Sequence, residues 1–261
     1  MTGTGGSMAR FALHGEHLYT LGRSELVIFD LRDGLSPEQI GSQRIGWDVE
    51  TLFLSGNRLF VGARSGMYIY DVSVPQAPRQ LAFTGHLYAC DPVVVRGDTA
   101  FVTLRKGSQC RGGSNELRVY DVSNPTQPEL IATYPMKNPW GLGVDGPWLF
   151  VADGRAGLKV FDSRDPRRIV EVQRLRRVTG YDVIPSGGLL IISAADGLYQ
   201  YDYSQGRLRR LSRIPIGGGP GSLRGMPVAI PPPAPGPKAP ARTPPASPPV
   251  KKQRRGPLEM R

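Results

Sequence analysis

Short apolar runs recur along the chain, and five of them end in an aspartate. The runs are "LVIFD" at Asp30, "MYIYD" at Asp71, "LRVYD" at Asp121, "LKVFD" at Asp162 and "LYQYD" at Asp202. Successive aspartates are 41, 50, 41 and 40 residues apart. A period of about forty residues that holds several short strands and no helical pattern is typical of a β-propeller with one blade per repeat.

Each repeat divides into four strands. In the fourth repeat, "WGLGVDG" predicts an inner strand, "WLFVAD" a second, "GLKVFD" a third and "RIVEVQRL" the outermost, joined by turns rich in Gly, Asp and Pro. Middle strands such as "RLFVG" and "LLIIS" are apolar at nearly every position. A sheet with one face in water would alternate, so we expect neighbouring blades to cover both faces of these strands.

We therefore predict an all-β fold, a β-propeller of about five four-stranded blades that is either complete or part of a larger propeller. The predicted propeller covers residues 8–216, after a disordered N-terminus at 1–7. The predicted blades are 8–45, 46–87, 88–137, 138–178 and 179–216. No run of eighteen apolar residues exists, so the sequence predicts no transmembrane segment.

Residues 217–261 have a different composition from the repeats. They hold 13 of the 25 prolines, and they carry eight Lys or Arg against one acidic residue, or +7 of the chain's net +11. Such a segment buries too little apolar surface to fold, so we expect a disordered, Pro-rich basic tail. Because the repeats themselves are only weakly basic, nucleic acid ranks last among the partners considered.

The residues at the starts of the inner strands are candidate binding residues. They are Arg10, Asp48, Glu50, Asp91, Trp140, Tyr181 and Asp182. Inner strands line a propeller's axis, so these side chains should meet at one mouth of the channel. Carboxylates there can hold a cation such as Ca²⁺, or act as acid and base beside an anion-clamping Arg10. Alternatively, they are solvated or bond to the backbone, and Trp140 and Tyr181 either form a stacking floor or simply pack.

The third repeat is longer because the loop "LRKGSQCRGGSNE" replaces a tight turn. Cys110 lies in this loop and Cys90 opens the inner strand of the same blade, so both should reach one face. We predict a disulfide in an oxidising compartment and two free thiols otherwise. Two cysteines without neighbouring histidines do not predict a zinc site.

The five repeat-ending aspartates are interpreted as structural. Each precedes a turn, as in "DVSVPQAP" and "DVSNPTQP", where an Asp carboxylate accepts hydrogen bonds from nearby backbone amides. The chain contains no G-x-S-x-G elbow, phosphate loop, HExxH or CxxC motif. The motifs therefore favour no particular catalytic class.

Residues 7–216 closely resemble the bacterial LVIVD-repeat proteins, which are predicted propellers usually carried as envelope lipoproteins. The resemblance rests on "SMARFAL", "IGWDVETLF", "GMYIYDVS", "CDPVVV", "AFVTLRKGSQC", "YPMKNPWGLGVDG", "GLKVFD" and "YDVIPSGGLLIISAADGLYQYDYS". It implies a surface module of the cell envelope and brings no assigned reaction. The chain departs from the family at its start, where the sequence shows no signal peptide and no lipid-attachment Cys. If that start is genuine, we expect a cytoplasmic protein. Its tail matches nothing in the family.

Two function hypotheses follow. The first is a non-catalytic module that binds a protein or small ligand through one face, with the loop at 104–116 as the expected contact surface. The second is a hydrolase, a lyase or a divalent-cation site that uses Glu50, Asp91 and Asp182 at the channel mouth. The first is favoured, and no confident metal site or cofactor is assigned.

Overall fold

The apolar runs of the sequence are β-strands arranged in five antiparallel sheets. The structure, a computed structural model, describes residues 7–85, 92–106 and 114–216. Within these residues each sheet contains four strands that follow one another in the chain. The prediction of five four-stranded blades is confirmed, and the fold is a five-bladed β-propeller.

The strands of each blade are given from the innermost to the outermost. Blade 1 contains β1 (Phe11–His14), β2 (His17–Leu21), β3 (Glu25–Asp30) and β4 (Glu38–Arg44). Blade 2 contains β5 (Val49–Ser55), β6 (Arg58–Ala63), β7 (Gly66–Asp71) and β8 (Arg79–Gly85). Blade 3 contains β9 (Val93–Arg96), β10 (Thr99–Leu104), β11 (Glu116–Asp121) and β12 (Glu129–Pro135).

Blades 4 and 5 repeat the same order. Blade 4 contains β13 (Leu142–Asp145), β14 (Trp148–Ala152), β15 (Leu158–Asp162) and β16 (Val170–Leu175), with a 3₁₀ turn at Gly154–Ala156. Blade 5 contains β17 (Gly180–Ser186), β18 (Leu189–Ala194), β19 (Gly197–Asp202) and β20 (Arg209–Pro215). The strands predicted for the fourth repeat therefore agree with those observed.

Middle strands of the three interior blades are buried on both faces. In β6, β10 and β14 every residue after the first is buried. In β18 of the last blade, buried residues alternate with more exposed ones. Covering by neighbouring blades therefore explains the continuous apolar runs, and among the described residues the last blade packs against one neighbour through an apolar cluster.

Four apolar clusters join consecutive blades. Each includes at least one fully buried aromatic ring. These rings are Tyr19 and Tyr70 between blades 1 and 2, Phe60 between 2 and 3, Phe101 between 3 and 4, and Phe150 between 4 and 5. Burial of one such side chain contributes about 1.5–3 kcal/mol. Among the described residues, none of these clusters joins blade 5 to blade 1.

Polar contacts from the segment before β1 link blades that are distant in sequence. The carbonyl of Ala9 accepts a hydrogen bond from Leu52 N of blade 2 at 2.9 Å. The hydroxyl of Ser7, which is fully buried, accepts one from Leu142 N of blade 4 at 2.8 Å and donates one to Asp182 of blade 5 at 3.2 Å. The segment at residues 7–10 thus contacts three blades.

The five repeat-ending aspartates stabilise the turns that follow them. Each carboxylate accepts a backbone hydrogen bond from the residue two positions later, over 2.9 to 3.1 Å. Their structural interpretation is confirmed. The outermost strand of each blade also carries a β-bulge, an extra residue opposite the two residues that precede the aspartate. The extra residues are Ile40, Leu81, Ile131, Val172 and Leu211.

Several predictions concern residues that the structure does not describe. Cys90, Asp91 and Cys110 lie outside the described residues, as do the N-terminal residues 1–6 and the tail at 217–261. Within the described part, no helix is long and apolar enough to cross a lipid bilayer.

Candidate functional site

A cavity of about 340 Å³ opens where the inner strands begin. Its lining residues are Met8, Arg10, Glu50, Thr51, Pro92, Arg105 and Trp140. They come from the segment before β1, from β5, from the entry to β9, from the loop after β10 and from the entry to β13. The structure thus brings three of the predicted residues, Arg10, Glu50 and Trp140, into one cavity.

Arg105 is a cavity residue that the sequence did not single out. Its guanidinium carbon lies 3.7 Å from the centre of the Trp140 ring, which is a close cation–π contact. The side chain is partly buried, and this burial lowers the pKa of Arg105 while leaving it a cation. The sequence could have indicated Arg105 through its position at the start of the 104–116 loop, because that loop was expected on this face.

Trp140 is held from two sides. Its backbone N–H donates to Ala152 O at 2.8 Å, and its carbonyl accepts a 2.8 Å hydrogen bond from the hydroxyl of Thr103, a fully buried residue of blade 3. Its ring meets the ring of Tyr181 in a T-shaped contact with centres 5.2 Å apart. The indole therefore lies between the Arg105 guanidinium and the Tyr181 ring.

The loop that leads to Trp140 rests on a buried ion pair. Lys159 Nζ lies 2.8 Å from Asp153 Oδ2, and Asp153 is fully buried. Asp153 Oδ1 also accepts hydrogen bonds from the backbone amides of Lys137 at 2.9 Å and Asn138 at 2.7 Å. The pair therefore positions the loop just before Trp140.

The carboxylate of Glu50 is engaged by an arginine. Arg64 Nε donates to Glu50 Oε1 at 3.0 Å, and Arg64 Nη1 lies 3.9 Å from the exposed carboxylate of Asp48. The hydrogen bond that Arg64 donates to Glu50 raises the pKa of Arg64, which therefore remains a cation at neutral pH. Glu50 therefore contributes little unbalanced negative charge to the cavity.

Arg10 is anchored to its own blade. Its Nη2 atom donates to the backbone carbonyls of Leu21 at 3.2 Å and Gly22 at 2.7 Å. Its other guanidinium nitrogens form no hydrogen bond with a described residue. The side chain therefore presents oriented donors at the cavity wall.

Asp182 lies away from the cavity lining. Its carboxylate accepts hydrogen bonds from the Ser7 hydroxyl, the Val183 amide at 2.9 Å and the Met8 amide. Burial outweighs these hydrogen bonds and raises the pKa of Asp182 to about 6. Within the described residues, no group of three His, Cys, Asp or Glu is placed to hold a metal ion.

A second cavity of about 300 Å³ lies at the opposite ends of the inner strands. Its charged side chains form structural contacts. Arg96 donates to Gly146 O at 2.6 Å and Ser163 Oγ at 2.8 Å, while Asp145 accepts hydrogen bonds from Tyr203 and from the Gly187 amide. The first cavity, where Arg10 and Arg105 retain donors, is therefore the better candidate site.

The blades and the cavity at their axis define the class of the protein, a five-bladed β-propeller with a cationic, aromatic pocket at one mouth. The LVIVD repeat family model matches residues 110–135, a segment that includes β11 and β12. The chain therefore carries an LVIVD repeat, which confirms the resemblance to LVIVD-repeat proteins for this segment. No curated protein matches the chain.

Solved structures show the same fold at low sequence identity. The computationally designed protein Ika8 is 14% identical with a TM-score of 0.58, over 77% of this chain and 60% of that one. The Pseudomonas aeruginosa periplasmic gluconolactonase PpgL is 15% identical with a TM-score of 0.61, over 78% and 68%. A chain of a mitotic checkpoint complex is 16% identical with a TM-score of 0.59, over 83% and 65%.

Proposed function

We propose that the chain is a non-catalytic, LVIVD-type binding module that takes a small ligand in the cavity at the start of the inner strands. The observation that carries the proposal is the arrangement of Arg10, Arg105 and Trp140 around that cavity. Pockets that combine apolar surface with a few oriented polar groups are typical ligand sites.

The engagement of the carboxylates supports binding rather than turnover. Glu50 is paired with Arg64, and Asp182 is hydrogen-bonded to the segment before β1. A general acid or base needs a carboxyl that reaches a bound substrate. In the described cavity, the unused donors belong instead to Arg10, Arg105 and the indole N–H of Trp140.

A panel of small molecules tests the proposal on the full chain. Benzoate, phenyl phosphate, benzylamine and glucose represent an organic monoanion, a dianion, a cation and a neutral sugar. We expect at least one of them at 10 mM to raise the Tm, and we expect proton NMR to recover it unchanged after incubation. The shift should vanish in Trp140→Leu and persist in Trp47→Leu, because Trp47 is 73% exposed and lies outside the cavity. No shift with any class, or an equal shift in Trp140→Leu, would overturn the proposal.

The proposal also covers the place of the protein in the cell and a second contact surface outside the cavity. The LVIVD repeat supports placement of the module at the bacterial cell envelope, with the loop at 104–116 as a surface for a protein partner. Immunoblots of fractionated source cells check the location. Recovery of the full protein in the cytosolic fraction alone would contradict it.

In the enzyme hypothesis, Asp182 would transfer a proton, because burial raises its pKa to about 6, although its carboxylate lies outside the lining of the cavity. The likeness to a periplasmic gluconolactonase suggests glucono-δ-lactone as a probe substrate. An enzyme should release acid faster than buffer alone, and Asp182→Asn should abolish that excess rate. Equal rates with protein and with buffer would remove this hypothesis.

A further inference from the structure

We propose that the ligand of the cavity is a small organic carboxylate with a flat apolar body. The inference rests on the proposed function and specifies its ligand class. It follows from the charge of the cavity, from the geometry of its two arginines and from its apolar wall.

The charge of the site favours one negative charge on the ligand. Among the described lining residues, Arg10 and Arg105 are cationic and Glu50 is anionic. The balance is +1. A monoanion neutralises it, whereas a dianion leaves excess negative charge beside Glu50.

The two cavity arginines are already oriented. Arg10 is anchored by two backbone carbonyls of blade 1, and Arg105 is held against the Trp140 ring. A guanidinium presents paired N–H donors that match the two oxygens of a carboxylate. Arg105 can offer such a pair, while Arg10, whose Nη2 is engaged, adds donors from Nε and Nη1. Because both side chains are fixed before binding, little side-chain entropy is lost when the anion arrives.

The rest of the wall suits an apolar body. Met8, Pro92 and Trp140 line the same cavity as the arginines, and Thr51 lies beside them. A volume of about 340 Å³ is at the small end of ligand pockets. A compact aromatic acid therefore fits better than a bare inorganic anion, which leaves this apolar surface uncovered.

Isothermal titration calorimetry of the full chain tests the ligand class with three probes. Benzoate has the charge and the flat body, benzamide has the same shape without the charge, and phenyl phosphate carries an additional charge. We expect benzoate to bind at least about tenfold more tightly than either analogue, a difference of about 1.4 kcal/mol. Equal or tighter binding of benzamide or phenyl phosphate would overturn the inference.

Three arginine variants locate the site. Arg105→Gln and Arg10→Gln should each weaken benzoate binding at least about tenfold, because each removes charge-assisted hydrogen bonds. Arg207→Gln, at an exposed residue outside the cavity, should bind like the original protein. If Arg105→Gln unfolds after losing its contact with Trp140, Arg10→Gln still decides the question. Unchanged affinity in a folded Arg10→Gln would contradict the inference.

The two proposals fail in different ways. Suppose that glucose or benzylamine raises the Tm, that Trp140→Leu abolishes this shift, and that benzoate does not bind. The cavity is then a ligand site, and only the carboxylate inference is wrong. If no member of the panel binds, both are wrong.

Discussion

The hydroxyl of Ser7 donates a hydrogen bond to the carboxylate of Asp182 over 3.2 Å, although 175 positions separate the two residues. The same hydroxyl accepts a hydrogen bond from Leu142 N. Ser7 thus connects the inner strands of blades 4 and 5 to the segment that enters blade 1. The contact occurs where the described residues offer no apolar cluster between the last blade and the first.

Asp182→Asn should make stability less dependent on pH. The pKa of Asp182 is raised to about 6 in the fold from an ordinary value near 4, so the folded state binds the proton more tightly than the unfolded state. The carboxyl therefore loses favourable free energy as pH rises from about 4 to 6. The unfolding free energy of Asp182→Asn minus that of the original protein should therefore rise by up to about 3 kcal/mol from pH 4 to pH 7.5. Urea unfolding of both proteins at both pH values measures this difference. If the difference is the same at pH 4 and pH 7.5, the prediction is wrong.

The repeat-ending aspartates should produce the opposite dependence at lower pH. Hydrogen bonds from Arg32, Arg164, Ser204 and Arg209 lower the pKa values of Asp30, Asp162 and Asp202 to about 2. Their stabilising contribution is complete above about pH 4 and is lost as pH falls toward 2. Circular dichroism along an acid titration should therefore show unfolding in that window. The Asp162→Asn variant should lose part of this pH dependence, and an unchanged curve would argue against it.

Removal of Asp153 should destabilise the protein strongly. Asp153→Ala leaves the Lys159 charge buried without its partner, which costs about 3–5 kcal/mol. The double variant Asp153→Ala/Lys159→Met removes both charges and should recover part of that loss. Chemical denaturation of the single and double variants measures the recovery. A double variant as unstable as Asp153→Ala would show that the lost hydrogen bonds to Lys137 and Asn138, rather than the unpaired charge, dominate.

Hydrogen exchange should be slowest in the interior blades. Residues of β6, β10 and β14 are covered on both faces, while β18 alternates buried and more exposed positions. Amides in the middle strands of blades 2 to 4 should therefore be better protected than those of blade 5. Peptide-level exchange followed by mass spectrometry checks this order. Uniform protection across the five blades would contradict this order, because it would mean that the faces of blade 5 are shielded from solvent as well as those of blades 2 to 4.

The fold could be predicted because its determinants are local and repeated. The period of about forty residues, the continuous apolar middle strands and the Asp-initiated turns are all visible within single repeats. The bulge in each outermost strand was not predicted, since apolar patterning does not distinguish a bulged strand from a regular one.

The candidate site could be predicted only in part. Arg10, Glu50 and Trp140 stand at equivalent places in their repeats, and the cavity contains all three. The contact between Arg105 and Trp140 joins blades 3 and 4, so no pattern within one repeat contains it. The contact of Ser7 with Asp182 likewise depends on how the chain returns to its beginning. Side chains whose partners lie in another blade were therefore the ones missed.

The buried residues of each apolar cluster come from two adjacent repeats, and Phe53 of blade 2 also packs against the cluster between blades 3 and 4. Stability in such an array is close to a sum of nearest-neighbour interactions. A gene duplication or deletion of one whole period would therefore preserve most apolar interfaces between blades, although not all contacts of Ser7 and Ala9 with blades 2, 4 and 5. By contrast, an insertion within a middle strand would disturb two interfaces at once, which makes the complete repeat the natural unit of evolutionary change in this chain.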